Sequence, residues 1–151
     1  MGQRTLEARH RRARVPLTLA VELAKMKNQF ALRKPCANCP FRKDAAAIEL
    51  QPGRKEEIIE GLLSSEKQTF HCHKTVYRDD GRNHDDEGNY RPVDVCQCPG
   101  AAAVARKFGR DTVMVQVATR LGVIGHDHYD AAIPSTIGPN DLTINRDIAR
   151  V

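Results

Sequence analysis

"KPCANCPFRKD", Lys34–Asp44, sets two cysteines two residues apart, each beside a proline. A pair of this kind serves as a metal hook, a redox pair or half of a deaminase site, and each choice implies a different fold. The deaminase signature needs an upstream H-x-E, whose histidine binds zinc and whose glutamate moves protons. Only His10 precedes the pair, and Arg11 and Arg12 follow it, so that chemistry is excluded. A thioredoxin-like redox pair needs a strand before the motif and a helix beginning at it. Here a helical pattern and Pro35 come first. The metal hook remains.

Two further clusters strengthen it. His71, Cys72 and His73 form one, and Cys96 and Cys98 the other, so seven of the eleven Cys and His residues lie in three groups. Thiolates and imidazoles are zinc's preferred ligands, and a two-residue gap lets both sulfurs of Cys36 and Cys39 face one ion. The set read from the residues is Cys36, Cys39, Cys72 and Cys98, with Cys96, His71 and His73 as substitutes. In an extended segment His71 and His73 point away from Cys72, so either the cysteine binds or the histidines do. A losing His73 could still hydrogen-bond a ligating sulfur. Zinc suits a closed Cys/His set. An iron–sulfur cluster is the alternative, because Cys39–Pro40 and Cys98–Pro99 resemble cluster-binding cysteine–proline pairs. Unconnected buried thiols would explain Cys96 or Cys98 singly, but not the prolines and histidines that recur at the clusters.

The bulk composition is consistent with a metal-assisted fold. The chain of 151 residues fits one domain, with no tryptophan and 5% aromatic residues, which makes for a lean core. Five cysteines is an odd number for a closed disulfide framework. The uncharged stretch at residues 131–140 has ten residues and two prolines, against about 20 apolar residues needed to span a bilayer. The basic start is interrupted by Glu22 and Lys25 and does not read as a secretory signal. The expectation is a cytoplasmic protein with reduced thiols and no membrane partner. The net charge of +5 is uneven: residues 1–35 hold nine Lys/Arg and two Asp/Glu, and the rest 15 and 17. The arginine run Arg9, Arg11, Arg12 and Arg14 is a candidate for phosphate contact with nucleic acid, although no aromatic residue interleaves with it for base stacking.

Periodicity places the elements around these clusters. Leu19, Leu23, Met26 and Phe30 mark one face of a helix from Thr18, its possible N-cap, that Pro35 stops. Ile58, Ile59, Leu62 and Leu63 mark a second, Arg54–Ser64. "KQTFHCHKTVY" alternates and is rich in β-formers, which reads as a short strand. "RDDGRNHDDEGNYRP" reads as a loop, Gly100–Phe108 as a small helix, and "DTVMVQVATRL" as a helix capped by Asp111 with Val113, Val117 and Leu121 on one face. "GHDHYD", Gly125–Asp130, is a solvent-facing turn or a second, hydrolytic metal site. "VATRLGVIG" has the small-residue spacing of a helix-turn-helix, but His126, Asp127 and Asp130 stand where a basic recognition helix belongs.

"PCANCPFR" at Pro35–Arg42, "CHKT" at Cys72–Thr75 and "CPG" at Cys98–Gly100 together resemble a family of short, uncharacterised cysteine-rich proteins of bacteriophages and bacteria. These pair P-C-x-x-C-P-[WF]-R with a later C-H-x-[TS] and C-x-G. The resemblance covers roughly residues 34–124 and implies Cys36, Cys39, Cys72 and Cys98 as the shared ligands. It supplies no activity.

The expectation is an α+β fold: a small metal-stabilised single domain over 35–133, a basic helical arm over 1–34 and an irregular tail over 134–151. Its first functional expectation is non-enzymatic: a zinc-holding module binding nucleic acid or a nucleic-acid-associated protein, as a phage accessory or host-takeover protein would. The alternative is an iron–sulfur redox protein or a metal-dependent hydrolase using His126, Asp127 and His128.

Overall fold

The structure is a computed structural model and describes residues 17–77, 84, 86–89, 95–145 and 147–148. Among the described residues, five α-helices and one 3-10 helix are formed: α1 Leu17–Gln29, α2 Arg54–Leu63, α3 His73–Val76, α4 Pro99–Lys107, α5 Val113–Arg120, and the 3-10 helix Asp130–Ser135. The α+β expectation is overturned, since the described residues are 43% helix and 4% strand, with no sheet among them.

Helix α4 is the pillar of the fold. Pro99 opens it, at a position where the missing N–H costs nothing. Three successive alanines, Ala101–Ala103, are strong helix formers with little bulk, so neighbouring elements approach closely. Every residue from Pro99 to Ala105 is buried. On one side Ala101, Val104 and Ala105 join Phe41, the α2 residues Ile58, Ile59, Leu62 and Leu63, and the thiols of Cys39, Cys72 and Cys98. On another, Ala102 meets a smaller cluster of Phe30, Val115, Ala118, Ile124 and Tyr129. At the C-terminal end Lys107 Nζ donates to the carbonyls of Thr136 (2.5 Å) and Ile137 (3.1 Å), while Arg106 holds Asp111 and Asp130.

The strand read from "KQTFHCHKTVY" is reduced to a single antiparallel bridge, His71↔Gln97. Cys72 N–H donates to Cys96 O and Cys98 N–H to Phe70 O, both at 2.8 Å, and pairing stops there. Pro99 offers no N–H to extend a ladder, and the next residue after Cys72 starts α3. The β-formers are present, but each partner has only three residues before a helix takes over.

α5 starts on Thr112, whose hydroxyl accepts from Val115 N–H, rather than on Asp111. Its buried face is Val115 and Ala118; Val117 and Leu121 are 38% and 61% exposed, so the Val113–Val117–Leu121 stripe is not the packed one. In α1, Leu23 and Met26 are half-buried and Phe30 just beyond it is buried, whereas Leu19 is exposed. The segment after Pro134 is irregular yet integrated: Arg42↔Thr136 forms a bridge, Ile137 N–H donates to Phe41 O, and Leu142 is in the main core. Among the described residues no helix is long and apolar enough to cross a membrane. Arg9, Arg11, Arg12 and Arg14, and most of the acidic loop, lie outside the described residues.

Candidate metal centre

Three segments far apart in sequence deliver thiols to one end of α4. The first is the Cys36–Arg42 turn: Cys39 N–H donates to Cys36 O and Arg42 N–H to Cys39 O, two turns in succession with Pro40 between. The second is Cys72, which caps α3; its carbonyl accepts from both the N–H and the hydroxyl of Thr75. That hydroxyl in turn accepts from Cys96 N–H at 2.9 Å, fastening the third segment to the second. Cys98 then caps α4.

The sulfurs meet in the core. Cys39 and Cys98 are 3.7 Å apart, Sγ to Sγ. Thiolates held by one tetrahedral zinc at about 2.3 Å stand roughly 3.8 Å from each other. Cys36 stands close enough to Cys72 and Cys39 to feel the charge of both, and Cys98 feels that of Cys72. Backbone N–H groups of Asn38, Phe41 and Ala101 point at the sulfurs of Cys36, Cys39 and Cys98 respectively. Amides in that role favour sulfur as thiolate.

Their titration follows from this crowding. Burial first, then the neighbouring Cys72 and Cys39, push Cys36 up to about 11. A hydrogen bond from Cys98 brings Cys39 down to about 7, and the same bond, with burial, holds Cys98 high. Cys98 therefore carries the proton that stabilises a Cys39 thiolate. Four thiolates cannot share this space without a cation to offset their repulsion. Contact between them is pairwise: among the described residues no set of three or more Cys, His, Asp or Glu is arranged to hold a metal ion as placed. Cys36, the least buried, lies 3.9 Å from both Asn38 Oδ1 and His73 Nε2.

Gly100 has a role that periodicity does not disclose. A Cβ there would fall 2.5 Å from Cys39 Sγ and 3.6 Å from Cys98 Sγ, so the sulfurs occupy the volume of its missing side chain. The signal was present as the glycine in "CPG", but its partner Cys39 is about 60 positions away. Asn38 was also missed, although it hydrogen-bonds His73 Nε2 at 3.1 Å and so ties the first turn to α3.

The substitutes are placed elsewhere. Cys96 Sγ donates to Asn28 O at 3.2 Å, at the end of α1. His71 is half-buried opposite Gln97, and burial lowers its pKa. His73 sits at the rim by Cys36, its pKa lowered by burial and then by Lys74. "GHDHYD" splits: His126 and Asp127 face solvent, Asp130 pairs with Arg106, and His128 and Tyr129 turn inward. His128 Nε2–H donates to Phe30 O at 2.9 Å, and its ring meets those of Phe30 and Tyr129 edge-on. That segment clamps the end of α1; it is not a set of convergent ligands.

Burial lowers His128 below the ordinary imidazole value, so the native state favours the neutral ring. Its contribution to stability is complete above the unfolded pKa of about 6.5 and is lost as pH falls below that value. His128→Asn keeps a donor for Phe30 O without a titrating ring. The drop in melting temperature between pH 7 and pH 5 is expected to be smaller in this variant than in the unaltered chain; an equal drop contradicts the assignment.

No family model, curated protein or solved structure matches the chain. The likeness to short cysteine-rich phage and bacterial proteins rests on the three quoted motifs.

Proposed function

We propose that this chain is a zinc-stabilised binding module for nucleic acid, with Cys36, Cys39, Cys72 and Cys98 as the zinc ligands and no catalytic role for the metal. The observation that carries the zinc reading is the 3.7 Å approach of Cys39 and Cys98 inside a thiol set drawn from three segments. A four-thiolate set fills zinc's tetrahedral shell and leaves no open position for water or substrate, which is the mark of a structural site. His73 supports the ligand set from its rim. The hydrolase alternative at His126, Asp127 and His128 is set aside, because the Nε2 of His128 is already bound to Phe30 O.

The nucleic-acid reading rests on charge. Residues 1–35 carry +7, from nine cations and two acids, while the remaining residues carry −2. Such an arm neutralises phosphates without reading sequence, and each contact displaces a counterion. The test is fluorescence anisotropy with duplex DNA over a series of salt concentrations. Affinity is expected to fall steeply with salt, and deletion of residues 1–14 to flatten the log–log slope by about three, in line with roughly 0.9 per phosphate contact. Binding that ignores both salt and the deletion contradicts the reading.

A further inference from the structure

A cleft of about 520 Å³ lies between the end of α1 and the loop that follows α5. Its walls include Lys27, Phe30, Arg33, Gly122, Gly125 and His128. This volume is within the usual range for a small-molecule site. Both cations are exposed, and among the described residues neither has an ion-pair partner; the nearby Lys25 is already paired with Glu22.

The cleft is held in shape from both sides. His128 Nε2–H donates to Phe30 O, and His128 N–H to Gly125 O at 3.2 Å. Val123 N–H donates to Ala118 O and Gly122 N–H to Thr119 O, fastening the loop to α5. Gly122 takes a φ of +68°, a conformation that a side chain disfavours. No acidic residue is among those lining the cleft. The Asp127 carboxylate folds over Gly125, 2.6 Å from where a Cβ would stand. The His128 ring feels the negative charge of Asp127 and the positive charges of Arg33 and Arg106.

We propose that this cleft is a phosphate-binding subsite, in which Lys27 and Arg33 take the oxygens of a phosphate group and Phe30 with His128 forms the floor. It rests on the nucleic-acid reading for its natural ligand, but uses residues separate from the arginine run. Two unpaired cations over a preformed cavity bind an anion with little reorganisation, and arginine's planar fork suits phosphate. The phosphate is either a backbone diester or a terminal monoester.

The probe is a 3′-fluorescein single-stranded oligodeoxynucleotide, with and without a 5′-phosphate, bound to the full chain in a salt series. Adenosine monophosphate serves as competitor. In the double variant Lys27→Ala/Arg33→Ala, affinity is expected to fall at least about tenfold and the salt slope by about 0.7, the value for one phosphate contact on a single strand, with the melting temperature unchanged. Equal loss for both oligonucleotides assigns the cleft to backbone diesters. Loss confined to the phosphorylated one, with competition by the monophosphate, assigns it to terminal phosphates. Wild-type affinity in the double variant overturns the proposal, as does the absence of binding to every probe. If deletion of residues 1–14 has no effect while the double variant still weakens binding, the arm reading fails and the cleft stands.

Discussion

Cys39→Ser is expected to abolish cooperative unfolding of the chain, and removal of zinc by a chelator to do the same to the unaltered protein. Cys39 is wholly buried in the main core, contacts Cys98 at 3.7 Å and packs against Gly100. Structural zinc contributes on the order of 10 kcal/mol to folding, while a domain's whole margin is about 5–15 kcal/mol. A core with four buried alanines in its central helix and no tryptophan has little to replace that loss. Cys96→Ser is the internal control. Its thiol donates to the carbonyl of Asn28 at the end of α1 and lies outside the proposed ligand set, so its cost should be about 1 kcal/mol. Urea unfolding followed by circular dichroism distinguishes the two. Similar midpoints for the two variants contradict the ligand assignment.

Gly100→Ala should reverse the sign that helix propensity dictates. Within a helix, alanine in place of glycine ordinarily stabilises by about 1 kcal/mol. Position 100 is in the first turn of α4, yet its new Cβ would stand 2.5 Å from Cys39 Sγ and 3.2 Å from Phe41 Cβ. Neither neighbour can swing away, since both are fully buried. Overpacking costs about 1–3 kcal/mol, and displacing a sulfur of the proposed ligand set adds to it. Gly61→Ala, in α2, is the comparison. There the Cβ meets Cδ of Lys67 at 2.9 Å, a flexible and half-buried side chain that can move aside. Gly61→Ala should be neutral or mildly stabilising, and Gly100→Ala strongly destabilising with loss of bound zinc. A stable, zinc-replete Gly100→Ala protein contradicts the packing account.

These two variants also show what was legible in the sequence. α2 was readable because Ile58, Ile59, Leu62 and Leu63 repeat at the helical period, and the structure buries all four. α4 was readable from its alanines. The strand was misread because alternation reports only local preference. What limits pairing to His71↔Gln97 is the arrival of Pro99 and of α3, which cut both partners short. The buried side of α5 was misread for a related reason: valines lie all around it, and tertiary contact with Phe30 and Tyr129 selects Val115 and Ala118. The cysteine clusters could be seen as clusters, but the role of Gly100, and the diversion of Cys96 to Asn28 and of His128 to Phe30, are contacts between residues 60 to about 100 positions apart. No local pattern encodes them. The segment after Pro134 lacks periodicity because it packs through single residues such as Leu142 rather than through a face.

The most direct measurement is the metal content and absorbance spectrum of the full chain purified without oxygen. The zinc account predicts about one zinc per chain and no visible absorbance, with the zinc lost in Cys36→Ser and in Cys39→Ser. Iron with acid-labile sulfide and a brown colour would contradict it and assign the four thiols to a cluster. A folded chain with no metal at all would contradict any metal centre, leaving Cys36 and Cys39 as ordinary thiols.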